Sequence, residues 1–471
     1  MIKNTKVAQF LVKYTGRRTK IYREDMKLNK LSPKNIEELK EHIRSKAPSF
    51  YHSSKTSTVI PYDQIEQQLE SMGVEDLTVV SLTELPASME LDEVGNLTVS
   101  GPVTWQEAKA YCHSKGRDIM TSPTEELACI LAGFATSATG ERCFGFGTLR
   151  EQVISMKYLN HRGESSSLAS TKRLPSNEAL EEYQKSYQSF IDFKNAPFPR
   201  IEMETDLLTG TEGQLGIITE ATFKTTILED RTFIFIKLPR WEEDPSKHLE
   251  IFTRVQSFRD RIFSCELLDS NSMAVLPEEE RVIDSGDLIF LEVKSDSFES
   301  VYEDLISKFE LIQDEDMFEV PAAKSHRLRM SVPRFTFERN SRMGVVKKGT
   351  DIQVGVDKFP KLLEIYREMT TLGIDYNLFG HFGDAHLHFN FLPDKSKVNI
   401  CQERLEELYT EVKALGGSPF AEHGIGLIKQ KFIADFLSPL HYVVFEQLKK
   451  EHDPENIFFP VGFLNLNRSI D

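Results

Sequence analysis

The chain has 471 residues, 40% of them hydrophobic, and a formal net charge of −16 at pH 7. Its length predicts two domains, or one domain with a large insertion. The negative charge repels nucleic acid, and the sequence has neither a secretory signal peptide nor a run of about 18 apolar residues that could span a bilayer. We therefore expect a cytoplasmic protein without a polynucleotide partner.

Residues 1–32 are rich in lysine and arginine, whereas the rest of the chain is acidic. We interpret this segment as a basic N-terminal arm, and two roles stay open for it. The arm is either solvated, or it makes peripheral contact with the anionic inner face of a membrane or with an acidic partner.

The elements predicted for the N-terminal half are helices and short strands in turn. Ser32-Pro33 predicts the start of a helix that continues to Ser45. The predictions that follow are a polar loop at Tyr51–Thr58, helices at Ile65–Met72 and Val103–Lys115, and strands at Leu77–Leu82 and Leu97–Ser100. Residues 133–153 are dense in small residues, which is typical of a loop-rich ligand surface, and residues 165–204 form a polar excursion without strong periodicity.

Two strand-like segments, Arg231–Lys237 and Asp287–Val293, are each followed by a helix-like segment. They predict a small antiparallel sheet with helices on one face, and Val356–Leu372 and Asn399–Ala414 predict amphipathic helices. We therefore predict an α+β chain with an arm (1–32), a first domain (33–225), a second domain with an antiparallel sheet (226–400) and a C-terminal helical segment (401–471).

The five cysteines are scattered along the chain without a CxxC pair. This spacing excludes a built-in iron–sulfur cluster of ordinary type and gives no disulfide framework. We expect each cysteine to be an inert, buried, small hydrophobic residue.

A cluster of histidines occurs late in the chain, in FGHFGDAHLHFN (residues 379–390) and AEHGIG (residues 421–426). His386, His388 and Asn390 alternate, so on a strand their side chains share one face. Imidazoles together with a carboxylate are suitable ligands for zinc, manganese or iron. Two alternatives stay open at this point: a hydrogen-bonded histidine pair on a strand, and a metallohydrolase.

These two motifs and DPENIFFPVGFLN (residues 453–465) resemble the C-terminal half of the FAD-linked 2-hydroxy-acid dehydrogenases and oxidases. That family includes D-lactate dehydrogenases, the catalytic subunit of glycolate oxidase and D-2-hydroxyglutarate dehydrogenase. The resemblance implies an α+β fold with a vanillyl-alcohol-oxidase-type (PCMH-type) FAD-binding domain and a ferredoxin-like cap domain. It further implies a C-terminal helical segment that completes the active site and returns to the FAD domain.

The resemblance also assigns roles within the histidine cluster. It implies that His381, His388 and Glu422 bind a divalent metal, and that His423 is the catalytic base. His386 is expected to have a supporting role, since its position varies among relatives.

Three segments resemble the flavin-binding parts of the family. In the first, TGTEGQLGIITEATF (209–223), the resemblance implies that FAD is bound by Glu212, Gly213, Gly216, Ile217 and Ile218. In the second, LAGFATSATGERCFGFGTLREQV (131–153), the implied FAD-binding residues are Gly133, Ser137, Thr139, Gly140 and Gly147. In the third, HSSKTST (52–58), the implied FAD-binding residues are Ser53, Ser54, Lys55, Thr56 and Ser57. Relatives have R-G-x-G-T-S at these positions.

In HSSKTST, Ser53 and Lys55 occupy positions that are glycine in relatives. A Cβ atom limits positive-φ geometry, so this departure predicts weakened FAD affinity. No histidine or cysteine matches the positions of covalent flavin attachment in the family, so we expect non-covalent FAD.

The resemblance implies oxidation of a small D-2-hydroxy acid, with hydride transfer to flavin N5. Arg329 is the first candidate and Lys348 the second for binding the substrate carboxylate, each against the alternative of a solvated surface cation. Asn390 is a further substrate-binding candidate, and Asp384 and Asn390 are expected to orient the histidines.

The sequence leaves several points open. The electron acceptor is a quinone, an electron-transfer flavoprotein, a separate iron–sulfur subunit or oxygen, and a homodimer is an open arrangement. The rival hypotheses are a catalytically altered flavoprotein-fold subunit with weak or absent FAD binding, and the same fold using FAD without net oxidation, as in alkylglycerone-phosphate synthases.

Overall fold

The computed structural model describes residues 27–345 and 348–469. Most of the predicted basic arm therefore lies outside the described residues, and its last part, Lys27–Leu31, is a strand. No helix in the described ranges is long and apolar enough to cross a membrane.

The N-terminal half contains ten strands and seven α-helices among its described residues. The strands are β1 (Lys27–Leu31), β2 (Ser49–His52), β3 (Asp76–Ser81), β4 (Ser88–Leu91), β5 (Asn96–Ser100), β6 (Arg117–Asp118), β7 (Val153–Leu159), β8 (Ser165–Ala169), β9 (Ile217–Lys224) and β10 (Thr226–Ile227). The helices are α1 (Ile36–Arg44), α2 (Ile65–Ser71), α3 (Trp105–His113), α4 (Ile130–Ala135), α5 (Cys143–Phe146), α6 (Leu149–Gln152) and α7 (Glu178–Tyr187).

These strands form two main sheets. Strands β1, β3 and β2 pair in parallel, in that order. Strands β4, β5, β9, β7 and β8 pair antiparallel, in that order, and β6 pairs with β10. The segment 209–223 therefore runs from a loop into the centre of the five-stranded sheet.

The C-terminal half contains one larger sheet and eight α-helices among its described residues. The strands are β11 (Arg231–Leu238), β12 (Ile262–Leu268), β13 (Asp287–Lys294), β14 (Met317–Val320), β15 (Lys348–Gly349), β16 (Ile352–Gln353), β17 (Tyr376–Gly380) and β18 (His386–Phe391). The helices are α8 (Ser246–Val255), α9 (Ser270–Ala274), α10 (Phe298–Asp304), α11 (Ala322–Met343), α12 (Phe359–Thr370), α13 (Val398–Ala414), α14 (Gln430–Ile433) and α15 (Pro439–His452). The strand order is β14-β11-β13-β12-β17-β18-β15, all antiparallel, with β16 also on β18.

Local sequence explains where several helices begin. Helix α1 starts after Asn35, whose side chain accepts a hydrogen bond from the backbone N–H of Glu38, three residues later than Ser32-Pro33 predicts. Helix α3 starts with a capping box between Thr104 and Glu107. The predicted helices and strands of the N-terminal third are thus present, with small shifts at their ends.

Two segments contain more regular structure than predicted. The polar excursion, residues 165–204, contains β8 and α7, because Asn177 caps the helix and its apolar residues Leu180, Tyr183 and Tyr187 are buried. The segment around Arg329 lies on the 22-residue helix α11, which contains Pro333.

The hydrophobic cores connect distant parts of the chain. The core around the five-stranded sheet includes Leu97, Trp105 and Phe223, and also Phe420 and Phe445 from the C-terminal segment. The core of the larger sheet is built from β11–β13, β17, β18 and the helices α8, α12 and α13. The C-terminal segment, which follows the second core in the sequence, therefore packs into the first core.

Candidate active site

The turn between β17 and β18 positions the first histidines. Gly380 has φ +131° and Ala385 has φ +54°, so the chain turns sharply around Phe382–Asp384. His381 lies in this turn, and β18 carries His386 and His388, all buried. The alternation predicted for β18 is present in the structure.

His381 and His388 share one carboxylate. The Nε2 atom of His388 is 3.2 Å from Glu422 Oε2, and the Nε2 atom of His381 is 3.4 Å from the same oxygen. Their Nδ1 atoms contact Glu266 Oε1 at 2.8 Å and the Thr350 carbonyl at 3.0 Å. Both Nε2 atoms are therefore presented on one side, as in metal-binding histidines whose other nitrogen is hydrogen-bonded.

These distances suit a bound metal. Zinc ligands at bond lengths of about 2.0–2.1 Å lie about 3.3 Å apart at the edges of a tetrahedron. The contacts of Glu422 with His388 and His381, at 3.2 and 3.4 Å, match this edge. These two contacts are compatible with the metal site that the resemblance implies for His381, His388 and Glu422, and the site stays a prediction.

The charges of the cluster are coupled. Burial alone would favour the neutral form of Glu422, but His381 and His388 hold its pKa well below the usual range. Burial opposes the charged form of His381, but the carboxylates of Glu266 and Glu422 raise its pKa to about 9. The cluster is therefore an ionised site buried in a low-dielectric interior.

Asp351, which the sequence analysis missed, lies beside these residues. Ligand atoms of Asp351, His386, His388 and Glu422 lie within 4.8 Å of one another. The Asp351 carboxylate accepts the backbone N–H groups of Glu422 and His423, each at 3.0 Å, and the Lys429 ammonium at 2.5 Å. Burial would raise the pKa of Asp351, but Lys429 and His423 hold it well below the usual range.

His386 lies close to Glu422 but has other partners. Its Nδ1 atom is 3.4 Å from the ammonium of the buried Lys194, and its Nε2 atom is 3.3 Å from Asp351 Oδ1. Burial and Lys194 hold the pKa of His386 well below its usual value. Lys194 also lies 3.3 Å from Asp384, and Asp384 with nearby carboxylates keeps the pKa of Lys194 raised despite burial.

The candidate base His423 is more accessible than the other histidines. Its side chain is 25% exposed, and its ring stacks on His388 with centroids 5.4 Å apart. Its Nδ1 atom is 3.5 Å from Asp351 Oδ2. His423 is thus the cluster histidine that a small molecule can reach most easily.

A cavity of about 400 Å³ lies next to the cluster. Its lining includes Ser137, Gly147 and Glu212, predicted to bind flavin, together with Lys194 and Asp384. The volume falls in the range of small-molecule sites. Part of the predicted flavin set therefore shares a cavity with Lys194 and Asp384, whereas His381, His388, Glu422 and His423 are not among the residues that line it.

The predicted flavin glycines have different surroundings. A Cβ atom on Gly133, Gly140 or Gly216 would meet Trp105, the Ser122 carbonyl or Tyr158, so the protein's own packing requires these glycines. Gly213, at φ +73°, has open space where a Cβ would be. Close approach of a flat ligand is therefore sterically open at Gly213.

Other predicted flavin residues have contacts within the protein. Thr139 donates to the Ala421 carbonyl, and Ile217 and Ile218 lie in β9 with buried side chains. The Glu212 carboxylate accepts the N–H groups of Ile425 at 2.7 Å and Gly426 at 3.1 Å. The segment predicted for flavin thus contacts the loop that carries His423.

In the loop after β2, Lys55 has φ +58°. This residue therefore adopts the left-handed backbone that glycine favours, in spite of its Cβ. The neighbouring residues of the predicted set, Ser53, Ser54, Thr56 and Ser57, surround this turn, and Ser54 Oγ is 3.4 Å from Thr56 Oγ1. Just beyond it, the Val59 carbonyl accepts the N–H groups of Leu427 and Ile428.

The two cations predicted for the substrate carboxylate have other partners. Arg329 forms an ion pair with Glu141 and donates to Thr124 Oγ1, and burial lowers its pKa to about 10. The Lys348 ammonium donates to Gln402 Oε1 on α13 at 2.7 Å. The structure therefore does not bring Lys348 to the histidine cluster, whereas Lys194, not predicted, lies beside it. Asn390 donates to Asn377 on the neighbouring strand β17.

Two family descriptions match the chain. Residues 230–461 match the C-terminal domain of FAD-linked oxidases, and residues 65–168 match an FAD-binding domain. The chain belongs to the FAD-linked oxidases. The predicted fold class and the predicted class of FAD-linked dehydrogenase or oxidase are confirmed.

Relatives of this FAD-linked oxidase are distant. It is 24% identical over 392 residues to the probable mitochondrial D-lactate dehydrogenase of Danio rerio, covering 79% of this chain and 72% of the relative. It is 25% identical over 410 residues to the D-2-hydroxyglutarate dehydrogenase of Xanthomonas citri, covering 81% and 78%.

The structure of an alkyldihydroxyacetonephosphate synthase superposes with a TM-score of 0.62 at 14% identity, covering 92% of this chain and 75% of that one. This likeness concerns the fold alone.

The functional residues missed by sequence reasoning are Asp351, Lys194, Glu266 and Lys429. Asp351 occurs three residues after Lys348, in the segment KKGTDIQVG. Sequence reasoning therefore selected this segment for substrate binding but did not select Asp351. Lys194 lies in the polar excursion, where no pattern distinguished it.

Proposed function

We propose that this FAD-linked oxidase oxidises a small D-2-hydroxy acid, of the D-lactate, glycolate or D-2-hydroxyglutarate type, to the 2-oxo acid. FAD is bound non-covalently, and a divalent metal is bound by His381, His388 and Glu422. The observation that carries this proposal is the convergence of two histidine Nε2 atoms on Glu422 directly beside His423.

Each bound group supplies one kind of chemistry. A divalent metal held by His381, His388 and Glu422 would supply Lewis acidity, which would lower the pKa of the substrate's hydroxyl group. FAD supplies the acceptor for the hydride that leaves C2. The names of the relatives, D-lactate dehydrogenase and D-2-hydroxyglutarate dehydrogenase, support this substrate class.

The protein's own residues bind the metal and remove a proton. Glu266 and Thr350 keep the Nδ1 atoms of His381 and His388 occupied, so that their Nε2 atoms are available as ligands. His423 accepts the hydroxyl proton as general base. Lys194 contributes a buried positive charge between the cluster and the cavity, which favours an anionic substrate.

Anaerobic stopped-flow absorbance tests this proposal. The protein reconstituted with FAD is mixed with a panel of D- and L-2-hydroxy acids, and flavin bleaching is followed. We expect at least one D-acid to bleach the flavin, His423→Ala to abolish bleaching while FAD stays bound, and His326→Ala, an exposed histidine on α11, to behave as the unmodified protein. Bleaching that is unchanged in His423→Ala would remove His423 as the base.

A second candidate function is a catalytically altered subunit with weak or absent FAD binding. It is favoured by the loop HSSKTST, which lies before the residues that match the FAD-binding domain. Absorbance of the purified protein decides between the two. A colourless protein that cannot be reconstituted with FAD contradicts the enzyme and supports the altered subunit.

A further inference from the structure

Asp351 is a buried carboxylate with several contacts to the candidate active site. Its Oδ1 atom accepts the N–H of Glu422, and its Oδ2 atom accepts the N–H of His423, both at 3.0 Å. The Lys429 ammonium lies 2.5 Å from Oδ2. One side chain thus contacts the backbone of a predicted metal ligand and of the predicted base.

The arrangement raises the question of whether Asp351 is a fourth metal ligand, because it lies within ligand distance of His388 and Glu422. A carboxylate has about four lone-pair sites. Two backbone N–H groups and the Lys429 ammonium already occupy three of them, and His386 Nε2 lies 3.3 Å from Oδ1, although not aligned for a hydrogen bond. Oδ1 therefore keeps one lone-pair site, and His386 Nε2 lies beside it, so a metal bound by Asp351 would have to take the place of that ring nitrogen.

Lys194 determines which ring nitrogen of His386 carries the proton. The ammonium of Lys194 can only donate, so His386 Nδ1, at 3.4 Å, is its acceptor. The ring proton of neutral His386 is then on Nε2, on the side of Asp351. The Nε2 atom has no hydrogen-bond partner among the described residues, but in this tautomer it carries the proton and therefore has no lone pair for a metal.

We propose that Asp351, with Lys429, is the positioning residue of the catalytic base and is not a metal ligand. Asp351 faces Nδ1 of His423 at 3.5 Å, and Nε2 of His423 is the atom that accepts the proton of the substrate hydroxyl. The carboxylate also stabilises the imidazolium that forms when His423 takes the proton. This inference depends on the proposed function for the role of His423, but its claim about the metal does not.

The chain offers a matched control. Asp453 is buried, accepts the N–H groups of Ile457 at 2.9 Å and Phe458 at 3.0 Å, and has the Lys449 ammonium at 2.5 Å. None of its partners named here belongs to the histidine cluster. Asp453→Asn therefore reproduces the loss of a buried, lysine-paired carboxylate without touching the base.

The first measurement is flavin reduction by the FAD-loaded protein at varied acid concentration. We expect Asp351→Asn to lower the limiting rate constant about 10²- to 10⁴-fold, with the half-saturating acid concentration within about threefold of the unmodified value. Lys429→Met should lower the same rate constant, and Lys429→Arg should restore most of it. Asp453→Asn should keep the rate per folded molecule. A limiting rate for Asp351→Asn within about threefold of the unmodified one overturns the proposal.

The second measurement is bound metal, by elemental analysis of purified protein. We expect Asp351→Asn to retain the metal and His388→Ala to lose it. Loss of metal in Asp351→Asn to the level of His388→Ala makes Asp351 a ligand and overturns the proposal.

The third measurement needs neither substrate nor metal. Hydrogen–deuterium exchange of the peptide covering residues 421–428 should become faster in Asp351→Asn and not in Asp453→Asn. Asparagine keeps one accepting oxygen, so one of the Glu422 and His423 N–H groups loses its acceptor and faces an NH₂ group instead. Unchanged exchange overturns the proposal. If no hydroxy acid reduces the flavin of the unmodified protein, the proposed function fails, and this exchange measurement still decides the contacts of Asp351.

Discussion

Two buried aspartate–lysine pairs of this protein have nearly the same local chemistry. In each, the ammonium lies 2.5 Å from the carboxylate, which also accepts two consecutive backbone N–H groups at 2.9–3.0 Å. The pairs are Asp351 with Lys429, and Asp453 with Lys449.

The two pairs differ in what they connect. Every contact of Asp453 named here comes from residues four or five positions away, so this carboxylate stabilises one local turn. The hydrogen-bond donors to the Asp351 carboxylate lie 71 to 78 positions away and belong to the predicted ligand Glu422, the predicted base His423 and Lys429. Nearly the same hydrogen bonding therefore holds a local turn in one place and, in our proposal, positions the catalytic base in the other.

Lys449→Met is expected to cause the largest change, which is a loss of stability at the local pair. The substitution leaves the Asp453 carboxylate as an unpaired buried charge and removes donors to the Gln214 and Phe458 carbonyls. We expect the free energy of unfolding to fall by about 3–5 kcal/mol. Urea denaturation followed by circular dichroism measures this, with the exposed Lys450→Met as control. A loss below about 1 kcal/mol would show that the lysine is not needed for the local turn.

A second, pH-dependent effect is expected at Asp269, a buried aspartate whose side chain accepts a hydrogen bond from a backbone N–H group. Burial and the neighbouring Asp287 raise its pKa to about 8. The unfolded chain loses this proton near pH 4 and the folded chain near pH 8, so stability falls as pH rises between these values, by about 1.4 kcal/mol per pH unit. Above pH 8 this contribution no longer changes.

Asp269→Asn tests this expectation, because asparagine is neutral and still caps helix α9. Both proteins are denatured at pH 5, 6, 7 and 8.5. The free energy of unfolding of Asp269→Asn should increase relative to that of the unmodified protein as pH rises. A difference that does not depend on pH would mean that Asp269 is ionised in the folded protein.

A smaller effect is expected from Glu266→Ala, which removes the partner of His381 Nδ1. Loss of such an orienting group costs about 10- to 100-fold in metal affinity. Metal titration of the apoprotein, with the exposed Glu319→Ala as control, measures the change. Unchanged affinity would remove Glu266 from the metal site and leave Asp351 as the cluster's orienting carboxylate.

The smallest effect is expected from Asp357→Asn. This aspartate lies six residues after Asp351 and also contacts a lysine, Lys358 at 2.8 Å, but it is exposed. Solvent screens the pair, so thermal unfolding and flavin reduction should equal those of the unmodified protein. A clear loss in either would show that charge along this segment matters without burial.

The sequence predicted those parts of the site that depend on local pattern. The alternation of His386, His388 and Asn390 correctly indicated a strand, since side chains two positions apart share a face. The glycine-rich segment 209–223 could be assigned because its motif is continuous in the chain.

The remaining parts depend on contacts between distant segments. Glu266 is 115 residues from His381, Lys194 is 192 residues from His386, and Asp351 is 78 residues from Lys429. No spacing rule connects such residues before the fold is known. The same limit applies to Lys348, which the sequence predicted to bind the substrate carboxylate. Its segment lies at the site through Asp351, but its ammonium contacts Gln402 on α13.

The core around the five-stranded sheet also has a consequence for biosynthesis. Phe420, Phe445 and Phe463 pack in it with Leu97 and Trp105, and Ser49 in β2 exchanges backbone hydrogen bonds with Ile457 and Phe459. A ribosome, adding about 5–20 residues per second, completes the first domain's strands long before these partners emerge. During translation the nascent N-terminal half therefore keeps an open apolar surface, and a chain that terminates before residue 420 is left with that surface exposed to aggregation.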